Sequence, residues 1–344
     1  MSTRGPIESL WTADVEDFPT AAGWSSDGEL VAIGLGDGPV SVRDAETGEE
    51  FARLTGHDGG LMALDWHPKK RMLATAGGDG TVRVWRMDQP DAPREFVCNG
   101  GWVEHVAWSP DGKLLASAAG QTVQLWKADG KLVATSPKLG STCSALVWSR
   151  KGKALFAGAF GGVRRIDAKK ATINQTLRWE GAVISLSLTA DDSVIAAGMQ
   201  DSTLHFWRLK SAKDSEMSGF PFKPKVVDFS HDGRWLAQTG AQDVLVWPFH
   251  DGGPEGSAPL QMGGHPKALT QVAFAPLVDV LATGCKDGLV LLWMIGRSEE
   301  PVAALRVDES VEALTWGPHR RDRGLRLLSA GKHGRVDVVE ILRT

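Results

Sequence analysis

Short apolar runs, mostly four to six residues long and bounded by Gly, Asp or Pro, recur along almost the whole chain. LMALDW, MLATAG and TVRVW form one set, and LLASAAG with TVQLW belongs to another. Apolar and β-branched residues in runs this short, punctuated by turn residues, predict strands rather than helices. The runs are nearly continuous rather than alternating, which is the pattern of a sheet buried on both faces. A more polar run follows each set, such as EEFARLTG or PVAALRVD, and predicts a further strand toward an exposed edge. One landmark ends the first run of each set, just before a small or polar residue and a turn. It falls at Trp24, Trp66, Trp108, Trp148, Leu188, Phe229, Phe274 and Trp316, at intervals of 40 to 45 residues. A second landmark ends the third run at Trp85, Trp126, Trp207, Trp247 and Trp293, with Arg43, Ile166 and Val339 in its place elsewhere. Four short antiparallel strands per repeat of ~42 residues predict a β-propeller.

The units resemble the WD-repeat β-propeller family. That family places a Gly-His pair before the first strand and a Trp, often followed by Asp, at the end of the third. Gly56-His57 with Trp85 and Gly264-His265 with Trp293 match it, although no Trp here is followed by Asp. The resemblance covers about residues 7–342. Eight landmark sets predict an all-β, eight-bladed propeller of four-stranded antiparallel blades, forming a single domain over residues 1–344. Its units start near 20, 61, 102, 142, 183, 224, 268 and 311. The last unit has three strands of its own, and IESLWTADV aligns with the outer strand PVAALRV. Residues 7–15 are therefore expected to complete the last blade, closing the ring and removing a free sheet edge.

Composition narrows the class further. With 42% hydrophobic and 23% charged residues, the chain has the material for a folded core. Ten of the 14 tryptophans sit at landmarks, which leaves Trp11, Trp102, Trp179 and Trp235 to explain. Three scattered cysteines, Cys98, Cys143 and Cys285, give neither a disulfide framework nor a zinc spacing. No apolar run reaches the ~20 residues of a membrane helix, and the opening lacks a signal-peptide stretch, so a cytoplasmic protein is expected. A net charge of −4 argues against a globally basic nucleic-acid binder.

Two constellations could be mistaken for catalytic triads: His57, Thr75, Asp79 and Trp85, and His265, Thr283, Asp287 and Trp293. The family resemblance implies that each is a structural relay from indole through Thr and His to Asp. Gly34-Leu35-Gly36-Asp37-Gly38 and its counterparts join two strands with no helix to follow, so they predict hairpin turns rather than phosphate loops. No catalytic, cofactor or metal residues are expected.

The family resemblance implies that the loops leading into the innermost strands and the Gly-rich turns gather on one face, here the upper face. Trp102, Glu104, Trp179 and Phe18 are the candidate partner-binding residues there, since exposed aromatics at such positions anchor peptides. Acids outnumber bases among these upper segments, whereas the opposite loops of the second to fourth units are basic. Lys69, Lys70, Arg71, Lys113, Arg150, Lys151 and Lys153 mark that face, joined by Arg320 and Arg321 in the last unit. The expected function is a non-enzymatic, monomeric scaffold for proteins or peptides. The alternatives are an enzymatic or cofactor-binding eight-bladed propeller, as in quinone-cofactor dehydrogenases, and a polyanion or anionic-surface binder acting through the basic loops.

Overall fold

The computed structural model describes residues 7–211, 213–250 and 253–341; the ends of the expected 1–344 domain lie outside them. Innermost strands line a central axis in the order Pro19–Trp24, Leu61–Trp66, Val103–Trp108, Ala145–Trp148, the C-terminal half of Ile173–Leu188, Val227–Phe229, Leu269–Phe274 and Val311–Trp316. Each packs beside the next, and the last returns to the first. Among the described residues, the strands form seven hydrogen-bonded sheets, six of four strands and one of six.

That count corrects the expectation of eight four-stranded blades: among the described residues there are seven, six of them four-stranded and one six-stranded. The units beginning near 142 and 183 share one sheet, running Ala145–Trp148, Ala154–Asp167, Ile173–Leu188, Val194–Met199, Leu204–Arg208, Lys213–Met217. The cause is local. Elsewhere a polar loop such as TGHDGG separates an outer strand from the next innermost one. Arg178–Ala182 contains no such break, so a single strand pairs with Ala154–Asp167 up to Ala182 and with Val194–Met199 from Val183 onward. Within Ala154–Asp167, Gly161 (φ 83°) and Gly162 (φ 107°) redirect the chain without leaving strand pairing. Glycine reaches that region of φ without a Cβ penalty.

The ring closes through its first strand. Ile7–Asp14 pairs antiparallel with Arg335–Ile341 and forms the outer edge of the sheet that contains Leu325–Gly331 and Val311–Trp316. Trp11 is buried there, its indole N–H donating to the Ala45 carbonyl at 3.1 Å. The core is not one central mass but a series of layers between neighbouring sheets. Ala32, Val40 and Val42 of one sheet, for example, pack with Leu61, Trp66, Leu73 and Trp85 of the next. Burying a large apolar side chain stabilises by about 1.5–3 kcal/mol, so these layers hold short strands that would not persist alone. Leu30–Leu35 and Val194–Met199 are buried throughout, while the outer strand Glu50–Leu54 is only partly buried.

The lower turns repeat one device. Ser109 donates its hydroxyl to Asp111 Oδ1 at 2.8 Å and accepts the Leu114 N–H at 3.0 Å, while Asp111 also accepts the Lys113 N–H. Ser25 with Asp27, Thr189 with Asp191, and Ser230 with Asp232 do the same. Side chains thereby satisfy the backbone groups that a tight turn leaves unpaired.

Candidate interaction surfaces and the central channel

Backbone hydrogen bonds tie each upper loop to the Gly-rich turn beside it. Gly36 N–H donates to Phe18 O, Gly78 to Gly60, Cys143 to Gly120, Phe222 to Gly240, and Lys286 to Ala268. Phe18, Trp102, Phe160 and Phe222 therefore project from one rigid face, and they are 50%, 63%, 63% and 51% exposed. Phe160 and Phe222 were not among the sequence candidates. The signal for Phe222 was an apolar ring in a loop, and that for Phe160 was its place directly before Gly161-Gly162. Trp179 is placed differently: half-buried, it stacks on His205 at 3.9 Å between ring centroids, with its indole nitrogen buried and without a partner. Glu104 is half-buried on the innermost strand that Trp102 precedes. Acidic groups intersperse the exposed rings. Asp17 accepts the Asp37 N–H at 2.8 Å, and Asp58 is exposed beside His57.

Beneath this rim lie the two relays. Trp85 donates its indole N–H to Thr75 Oγ1 at 2.8 Å, and Thr75 Oγ1 lies 2.8 Å from His57 Nε2. His57 Nδ1 is 3.1 Å from Asp79 Oδ1, and Arg83 donates to Asp79 Oδ2 at 2.7 Å. Burial lowers the His57 pKa against the pull of Asp79, so the imidazole is the neutral link of the chain. Burial opposes ionisation of Asp79, but Arg83, His57 and Thr81 together hold its carboxyl well below the usual range. The second relay is incomplete. Trp293 and His265 both reach Thr283 Oγ1, at 2.8 and 2.7 Å, but His265 Nδ1 is buried without a partner. Asp287 instead pairs with Arg306 at 2.9 Å and Lys267 at 3.9 Å, which corrects the expectation of two equivalent networks.

On the lower face, several of the expected bases are tied in ion pairs. Arg71 pairs with Asp27 at 2.6 Å, Lys113 with Asp111 at 3.2 Å, and Arg320 with Glu29 and Asp322. Lys69, Lys70, Lys151 and Lys153 are exposed and make no ion pair among the described residues; Arg150 and Arg321 are exposed as well. Links between neighbouring units stiffen this face, including His67 Nε2 to Gly112 O at 3.0 Å and Arg150 N–H to Asp192 at 2.8 Å.

A belt around the channel was missed altogether from sequence. Trp24, Trp66, Trp148 and Trp316 donate their indole N–H groups to Thr315, Gly23, Ala107 and Ala273 carbonyls on the neighbouring innermost strands, at 2.9–3.1 Å. A phenylalanine ring has no N–H to offer. Where Phe229 and Phe274 occupy the landmark, their backbone N–H groups are instead accepted by Ser187 Oγ at 3.1 Å and Asp228 Oδ2 at 2.7 Å. Asp65 Oδ2 accepts the Trp108 N–H in the same way at 2.6 Å. Burial pushes Asp65 and Asp228 up to about 7 despite these N–H bonds. The available signal was an Asp directly before the landmark, in ALDW and VDF.

Neither thiol nor metal chemistry converges elsewhere among the described residues. Burial pushes the Cys143 thiol up to about 12, far from a reactive thiolate. His231, Asp232 and Asp279 bring three donor atoms within 4.8 Å of one another. Arg234, however, donates to both carboxylates, so a guanidinium already supplies the positive charge there.

Comparisons with known proteins agree with this architecture. The family model described as the IFT122 first beta-propeller matches residues 24–253, and that for the WD domain, G-beta repeat, matches residues 257–294. A subunit of chromatin assembly factor 1 from Mus musculus is 34% identical over 92 residues, covering 24% of this chain and 16% of that protein. Protein HIR1 of Yarrowia lipolytica is 28% identical over 179 residues, covering 40% of this chain and 17% of that protein. The matched stretches thus span about a sixth of the length of these curated relatives. The crystal structure of the computationally designed Ika8 protein superposes with a TM-score of 0.79 over 97% of this chain and 98% of that one, at 23% identity, a likeness of fold alone.

Proposed function

The chain belongs to the WD-repeat β-propeller family, and from that premise we propose that it is a non-catalytic scaffold whose upper face captures an extended basic segment of a partner protein. The observation that carries this reading is the set of exposed rings, Phe18, Trp102, Phe160 and Phe222, on a face whose loops are acidic and stitched to their turns. Rigid aromatics desolvate at little entropic cost, and the surrounding carboxylates select for a basic chain. The His-containing relays are consumed by hydrogen bonds to Thr and Trp, which leaves them as supports for the rim. Relatives named for chromatin assembly favour a role in holding proteins together over one in catalysis.

The test is affinity capture from native lysate, followed by titration with the captured partner's own segments. Trp102→Ala should cost about 2 kcal/mol of binding, on the order of 30-fold. Capture that is unchanged in Trp102→Ala and in a Phe160→Ala, Phe222→Ala double variant would sink the reading. A second reading has its own support in the exposed Lys69, Lys70, Lys151 and Lys153, which make no ion pair among the described residues and suit an acidic partner or polyanion. Its binding should weaken steeply between low and physiological salt, and Glu substitutions at these four positions should abolish it while upper-face binding persists.

A further inference from the structure

A cavity of about 610 Å³ opens at the lower mouth of the channel. It is an arc rather than a sphere. Its wall is built from the ends of five consecutive innermost strands, from Leu61–Trp66 through Pro19–Trp24, Val311–Trp316 and Leu269–Phe274 to Val227–Phe229. Asp65 stands at one end of the arc and Asp228 at the other. Between them the wall is aromatic, with Trp66, Trp24, Trp316, Phe274 and Phe229.

Each carboxylate is fixed by the N–H of the next innermost strand, yet a carboxylate offers about four acceptor positions, so both keep capacity for a ligand. Neither has an ion-pair partner among the described residues. A single metal ion would need both carboxylates at one point, and three innermost strands separate them in either direction round the ring. The occupant that matches is a chain with positive charge at separated places and an apolar stretch between. We propose that this arc binds a linear aliphatic polyamine, with one ammonium at Asp65, another at Asp228 and the methylene chain along the aromatic wall. Methylenes gain from leaving water against the rings, and an ammonium beside an indole face gains a cation–π contribution. The ligand would also remove a standing cost. Burial disfavours the ionised form of both carboxyls, and an opposite charge at each restores it.

Calorimetric titration of the full chain with spermidine at low ionic strength tests this. One saturable site is expected. Asp65→Asn and Asp228→Asn keep an acceptor oxygen for the Trp108 and Phe274 N–H groups, so both variants should fold. Each should weaken spermidine at least ~tenfold through loss of a charge-assisted bond, and the double variant should abolish binding. Ala22→Leu, which fills the arc with both carboxylates intact, should weaken it as well. Butylamine, able to reach one end at a time, should bind more weakly than spermidine. Asp37→Asn and Asp58→Asn on the upper rim should change nothing, which separates the site from general attraction to an acidic protein. Spermidine binding that survives in the folded double Asn variant, falls equally in the rim variants, or is absent in the folded wild type would overturn the proposal.

Discussion

The sheets that contain Leu61–Trp66 and Leu269–Phe274 carry the same four residue types at the same spacing, and they diverge at the fourth. In the first, the chain of bonds runs unbroken from Trp85 through Thr75 and His57 to Asp79. In the second it stops at His265. The residue responsible lies outside the motif. Arg83 projects from the third strand and holds Asp79 beneath His57, whereas the corresponding position is Leu291. With no cation on that side, Asp287 turns to Arg306 of the outer strand and Lys267. A buried relay therefore depends on what anchors its last member, not on the presence of the motif residues alone.

The largest expected effect separates the two histidines by pH. Burial pushes His265 down to about 4, with no carboxylate opposing it, against about 6.5 in the unfolded chain. The folded state then binds fewer protons in that window. The resulting stability is complete above pH 6.5 and is lost as pH falls toward 4, a swing of about 3 kcal/mol. His265→Gln should flatten that part of the acid limb in denaturant-unfolding curves. His57→Gln should flatten it less, since Asp79 offsets part of the burial. Equal flattening in the two variants would break the comparison.

Next in size is the pair of Asp variants. Asp79→Ala should cost about 2 kcal/mol by removing the carboxylate partner of the buried His57, while Asp287→Ala, at a partly exposed ion pair, should stay within about 0.5 kcal/mol. Chemical denaturation of both variants checks the order, and a reversed order would show that Asp287 supports His265 in solution. A smaller effect isolates the anchor. Arg83→Leu copies the other sheet, and a double-mutant cycle with Asp79→Ala should give a coupling of about 1 kcal/mol. Because the folded Asp79 carboxyl sits below its ordinary value, this contribution is present above about pH 4 and is lost on further acidification. A coupling near zero would mean that His57 and Thr81 suffice to orient Asp79. The smallest difference is in salt response. At 1 M salt, Asp287→Ala and wild type should become indistinguishable, because the Asp287–Arg306 pair is open to solvent on its Arg306 side and screened.

Much of the ring could be read along the chain. The landmarks Trp24, Trp66, Trp108, Trp148 and Trp316 end innermost strands, and Ile7–Asp14 lies where IESLWTADV predicts it. Each of those signals is local, a strand run with a turn on either side. The missing break at Arg178–Ala182 was equally present in the sequence, but its consequence was not. A unit boundary with a lone Gly181 in place of a polar loop lets one strand serve two units, and the landmark spacing of 40 residues is unaffected by it. The candidate site was legible in part. Phe18 and Trp102 are exposed on the upper face, while Trp179 found His205 as a stacking partner that nothing in its own neighbourhood announces.

By itself the sequence determined the repeat, the strand-and-turn order within each unit and the residues that end the innermost strands, because these follow from side-chain pattern over a few positions. The tertiary structure alone decided which strands share a sheet, which relay closes, which aromatic rings stay in water, and that Asp65 and Asp228 face one cavity from its two ends. Those outcomes join residues 20 to more than 160 positions apart. They depend on which neighbour offers a charge, a ring or a backbone N–H at the point of contact, and no window along the chain contains that neighbour.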